Sequence, residues 1–127
     1  MKKMIALSLI LLLLTGLLCC GSTRLIHGTL DRMADLHEQI LSYTDSDEKE
    51  RALVALTQMA QLWTGASRWL EMLADHGDVH SVREQIVSAK ALLEHDDIAQ
   101  YSQCMALVRE GLEHIRRSES LSLNNLL

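Results

Sequence analysis

Two histidines bracket a glycine and an aspartate in the stretch Asp75-His76-Gly77-Asp78-Val79-His80. Imidazole nitrogens and carboxylate oxygens are ligands that zinc takes in proteins, and residues four apart on a helix share one face. His76, Asp78 and His80 are therefore the candidate metal ligands, with Asp75 as a substitute for Asp78. Two features weigh against a metal. The helical zinc motif carries a glutamate between its histidines as the base, and this stretch has none. Gly77 has the character of a helix terminator, so it would part the histidines, leaving Asp78 to cap the next helix. Without a metal the same imidazoles could still sense acidification, because histidine titrates near pH ~6.5. A metal- or pH-responsive sensor using His76 and His80 is thus the second functional reading.

Other reactive constellations are poorer. The chain has no glycine-rich phosphate loop, and 44-TDSDEKER-51 lacks the central glycine and spaced glutamate of a calcium loop. The carboxylates of Asp45, Asp47, Glu48, Asp96 and Asp97 fall at expected helix starts, where the helix dipole favours them without catalysis. A non-enzymatic protein without a cofactor is the expectation. Trp63 and Trp69 lie six apart, which on a 3.6-residue helix keeps them off one narrow stripe. One tryptophan should be core; Trp69 is the candidate for a partner contact. Gly65 between them either admits a neighbouring helix or is merely tolerated, at about 1 kcal/mol.

Helices must position these groups. The chain of 127 residues has no proline, no phenylalanine and only six glycines, and no stretch alternates as a strand would. Apolar residues recur at helical spacing in four segments. The stripes are Ile26, Leu30, Met33, His37, Ile40; then Leu56, Ala60, Trp63, Ala66, Leu70, Leu73; then Val79, Val82, Ile86, Ala89, Leu93; and Ile98, Tyr101, Met105, Val108, Leu112, Ile115. The spacing predicts helices over about 24–43, 47–75, 79–94 and 97–117. Thr44 with Asp47 has capping-box spacing, and Asp96 is the expected cap of the last helix. Short connections make neighbouring helices antiparallel.

The N-terminus has a different character. Lys2 and Lys3 precede an apolar run, Met4 to Cys20, broken only by Ser8, Thr15 and Gly16. That is the layout of an export or insertion signal, and it directs the residues after Gly21 outward. As a helix the run is about 27 Å long, near the short limit for a hydrocarbon core of about 30 Å. Three fates fit it: an uncleaved anchor, lipidation at Cys20 or Cys19, or cleavage after Gly21. Removing this segment with its two lysines takes the formal charge from −5 to −7. So acidic a domain does not suit nucleic acid, which rewards basic patches. Cys104 is the one thiol beyond the leader, so no disulfide framework exists, and it is expected to be buried and inert.

A family resemblance adds to this. Trp63 and Trp69, the turn His76-Gly77-Asp78-Val79-His80-Ser81-Val82, Glu113-His114-Ile115 and the ending Leu121-Ser122-Leu123-Asn124-Asn125-Leu126-Leu127 resemble domain-of-unknown-function family 4363. His76 and Asp78 fit the family's turn pattern; Gly77, Val79 and His80 depart from it. The resemblance implies a short N-terminal membrane segment and a small helical domain, and it implies no activity.

The expected protein is all-α: an N-terminal membrane or signal helix (1–21), then an extracytoplasmic antiparallel bundle of three to four helices (22–120). An apolar tail (121–127) is expected to fold back on the bundle. It would be held at a cell membrane through residues 4–20, would bind another envelope protein through Trp69, Leu123 and Leu126, and would not bind nucleic acid.

Overall fold

The computed structural model describes the backbone of residues 1–126 and the side chains of residues 1–121. The described residues form four helices: α1 (Lys2–Asp45), α2 (Lys49–Leu73), α3 (His76–Glu94) and α4 (Ile98–Leu126). Each packs against two neighbours, α1 on α2, α2 on α3, α3 on α4 and α4 back on α1, which closes an up-down-up-down bundle. Among the described residues there are no strands.

The four apolar stripes become the core, because only they can be removed from water together, except at two ends: Leu73 and Ile98, expected in the stripes, are exposed beside the helix termini. Ile26, Leu30, Met33 and Ile40 of α1 meet Leu56, Met59, Trp63 and Leu70 of α2, the α3 stripe from Val79 to Leu93, and Tyr101, Met105, Val108, Leu112 and Ile115 of α4. Burying a side chain of this size contributes about 1.5–3 kcal/mol, which offsets the cost of ordering the chain. Burial also pushes the Tyr101 phenol above its ordinary value near 10.0, against the lowering effect of its 2.9 Å hydrogen bond with Thr44 Oγ1. Cys104 is half-buried rather than fully buried, and desolvation raises its thiol pKa, which favours the unreactive protonated form.

The core conceals a repeat. Asp47 and Asp96 are the only non-glycine residues with positive φ among the described residues, at 59° and 58°. Both close a helix in the same way. Glu48 N–H reaches Tyr43 O and Asp47 N–H reaches Thr44 O; Asp97 N–H reaches Leu92 O and Asp96 N–H reaches Leu93 O. These are paired Schellman closures with aspartate, not glycine, in the left-handed position. Shifting the chain by the interval between those aspartates carries Leu30, Met33, His37 and Ile40 onto Val79, Val82, Ile86 and Ala89. The same shift carries Ala52, Leu56, Met59, Trp63 and Ala66 onto Tyr101, Met105, Val108, Leu112 and Ile115. Every one of these positions is buried. The bundle is two equivalent hairpins, α1–α2 and α3–α4, and both turns lie together at one end, where Lys49 Nζ bridges Asp96 at 2.9 Å and Glu94 O at 3.2 Å.

Several expected boundaries are corrected. Thr44 lies inside α1, its hydroxyl bonded to Ile40 O, and does not cap α2. Asp97, not Asp96, caps α4, its Oδ1 accepting from Gln100 N–H at 3.3 Å. Between α2 and α3 the break is made by extended backbone at Ala74 and Asp75, so a left-handed glycine is not required. Asp75 Oδ1 accepts from Gly77 N–H at 2.8 Å and takes the capping role assigned to Asp78. Gly65 faces open space and is simply tolerated. The segment after residue 117 is not a separate tail at the backbone level: with no proline or glycine to stop it, α4 runs on to Leu126. Leu121 is exposed, and the side chains of Leu123 and Leu126 lie outside the described residues.

The apolar run continues into the bundle without interruption, since α1 passes through Gly21 as helix. α1 is long and apolar enough to cross a membrane, and none of the side chains in its apolar window is buried against protein. Helices apolar all round are stable only when buried in protein or lipid.

Candidate functional site

The two seams that join the hairpins differ. At the α2–α3 seam, Trp63 is fully buried and its indole Nε1–H donates to Val79 O at 2.9 Å. The α1–α4 seam is more open and holds a groove of about 390 Å³. Leu30, Ala34, Leu41 and Leu112 supply its apolar lining. Asp31, Glu38, Arg109, Glu113 and Arg116 supply charge, and His37 reaches in from the core.

Helical geometry produces this mixture. On α1, Asp31 and Glu38 each follow a buried residue, Leu30 and His37, so they flank the stripe along one edge. On α4, Arg109, Glu113 and Arg116 step by four and three along the facing edge. Arg116 closes the seam with a 2.6 Å bond to Asp31 Oδ1, and Arg109 Nε lies 3.6 Å from Glu113. His37 occupies the position of Ile86 in the other hairpin, and its Nε2–H donates to Met105 O at 2.7 Å. That carbonyl already lies within the α4 ladder; its second lone pair takes the imidazole, which keeps the buried ring satisfied. A buried imidazole thus fixes the register of α1 on α4 at the back of the groove.

The histidines singled out by spacing are not gathered. His76 lies 3.7 Å from Glu71, while His80 lies 3.1 Å from Glu84. Asp78 turns to a different partner, His114 Nδ1 at 3.1 Å. Each of these histidines faces its own carboxylate, and among the described residues no three His, Cys, Asp or Glu side chains are grouped to hold a metal. Trp69 is half-buried against the core. Cys19 and Cys20 are exposed on α1, at the end of the apolar run. The groove itself escaped sequence reasoning, since its charges read as a solvated face until α1 and α4 are known to be neighbours. The available signal was His37, a polar residue within an otherwise apolar stripe.

The chain matches no curated protein and no solved structure. The family model for the domain of unknown function DUF4363 matches residues 20–126, which takes in the whole bundle and leaves out the apolar run up to Cys19. With nearly all of the chain beyond its apolar N-terminal run matched, this protein belongs to the DUF4363 family.

Proposed function

We propose that the bundle is a non-enzymatic interaction module, held at the outer face of a cell membrane by residues 4–20, which docks a helical segment of another envelope protein in the α1–α4 groove. The observation that carries this reading is the groove itself. Two antiparallel helices leave an open apolar channel with both signs of charge along its edges. An amphipathic helix is the ligand that fits such a channel, with apolar anchors for the floor and charged flanks for the rim. Most of the polar groups present are engaged with one another: Arg116 with Asp31, Arg109 with Glu113, and His37 with Met105 O, which leaves the Glu38 carboxylate on the rim for a partner's cation. A rim of paired charges around an apolar floor is the anatomy of a recognition surface.

The test is crosslinking in intact cells from a photoreactive residue at Glu38 or Glu113, both exposed on the rim. A discrete protein partner is expected from both positions and not from Val87, on the outer face of α3. Filling the channel with Ala34→Trp should abolish the adduct while leaving the melting temperature unchanged. Equal labelling from Val87, or an adduct that survives Ala34→Trp, would remove the groove from the account.

A further inference from the structure

The exposed apolar side chains of the bundle are unevenly placed. Val54, Val87, Ile98 and Leu107 are scattered singly along its length, as on most soluble surfaces. Leu25, Met72, Leu73 and Leu121 are not; they are 56%, 84%, 44% and 63% exposed, and all belong to one end of the molecule. The α2–α3 turn and α4 share a small cavity lined by Leu73, Ala74, Asp75 and Asp78 with Ile115, Ser118 and Glu119, which sets that turn level with residues 115–119. α1 enters the bundle at the same end, where Ile26 is its first buried residue. Three helices therefore present water-exposed apolar groups at the end from which the apolar rod emerges.

The standoff between that end and the rod is short and stiff. Only the residues between Cys20 and Ile26 separate them, about 9 Å of unbroken helix. α4 runs on from Glu119 to Leu126, about 10 Å past the turn and in the direction of the rod. The headgroup and acyl boundary that an interfacial helix occupies is about 5–10 Å deep. We infer that this end of the bundle rests on the bilayer, with Met72, Leu73 and Leu121 entering the interfacial layer of the membrane that holds α1. The inference rests on residues 4–20 being the membrane-spanning part. Charge at this end is mixed, Arg24, Arg68 and Arg117 against Glu71, Asp75 and Glu119, so contact comes from apolar insertion and not from attraction to anionic lipid. A bundle seated in this way cannot swing on its anchor, and its α1–α4 groove is held at a fixed height above the bilayer.

The experiment uses the full chain in two sets of phosphatidylcholine vesicles, with acyl chains brominated near the headgroup to reach Met72→Trp and Leu121→Trp and at mid-chain to reach Leu14→Trp. Trp69→Phe removes the half-buried indole, Trp63 stays as an internal buried reference, and one probe is added per variant: Met72→Trp, Leu121→Trp, Val87→Trp or Leu14→Trp. Bromine should quench Met72→Trp and Leu121→Trp at least half as strongly as Leu14→Trp, and leave Val87→Trp at the level of Trp63 alone. Quenching at Leu14→Trp with none above Val87→Trp at the other two positions would overturn the seating and spare the anchor. Absence of quenching at Leu14→Trp would overturn the anchor, and the seating with it.

Discussion

The two hairpins bury the same register and close with the same turn, yet they treat their seams differently. At the position where α1 has His37, α3 has Ile86; where α2 has Trp63, α4 has Leu112. The larger side chain fills the α2–α3 seam, and the smaller one lines the α1–α4 groove. Equivalent positions elsewhere also trade volume: Ala52 stands for Tyr101 and Ile40 for Ala89. A repeated helical frame sets which residues face inward, while differences in side-chain volume between the copies decide which seam closes. The groove lies where the approximate two-fold symmetry is broken.

The largest test of that contrast is a matched pair of truncations. Trp63→Ala removes a fully buried indole and leaves Val79 O without its side-chain donor, a loss of about 3–5 kcal/mol. Leu112→Ala, at the equivalent place beside an existing groove, should cost about 2 kcal/mol, the low end for leucine, since the site is not fully packed. Chemical denaturation of both variants checks the ordering. Equal losses would mean that the two seams are packed alike.

A second test concerns how closely each hairpin is built. A Cβ on Gly111 would lie 2.6 Å from Val82 Cγ2, a buried and rotationally stiff β-branched atom. At the equivalent place in the first hairpin, α2 carries Leu62, a full side chain packed against the core. α3 and α4 therefore approach more closely at this level than α1 and α2 do. Gly111→Ala should destabilise by about 1–3 kcal/mol through overpacking. Gly65→Ala, in open space, should stabilise by about 1 kcal/mol from helix propensity alone. Thermal melts of the two glycine variants should move in opposite directions.

The stripes were legible in the sequence because a period near 3.6 survives any choice of apolar residue: Ile26 through Ile40 and Tyr101 through Ile115 could be read directly as buried faces. The repeat was not, because pairs such as Ala52 and Tyr101 share a position without sharing chemistry. The turns were misassigned by a few residues for a related reason. Aspartate serves both as an N-cap and as a tolerable left-handed residue, so Asp96-Asp97 reads either way until the backbone is seen. His76 and His80 looked like a site because spacing records adjacency on one helix; it does not record that Glu71, Glu84 and His114 stand nearer to the side chains concerned. The groove depends on α1 meeting α4, the two helices farthest apart in the chain, and local pattern carries no trace of that meeting.

The smallest expected effect separates the two turns. An L-residue in the left-handed region costs about 1–2 kcal/mol, and glycine avoids that cost while losing about 0.5–1 kcal/mol of chain entropy on folding. Asp47→Gly should therefore stabilise by about 0.5–1 kcal/mol, since Asp47 has no ion-pair partner among the described residues. Asp96→Gly relieves the same strain but removes the carboxylate that Lys49 meets at 2.9 Å, an exposed pair worth about 0–1 kcal/mol. Its net gain should be smaller, and high salt, which weakens the pair in the unmodified chain, should bring the two substitutions toward the same value. If Asp96→Gly gained as much as Asp47→Gly at low salt, the Lys49–Asp96 pair would contribute nothing to joining the hairpins. Their association would then rest on the two seams, where Trp63 Nε1–H to Val79 O and His37 Nε2–H to Met105 O accompany the apolar packing.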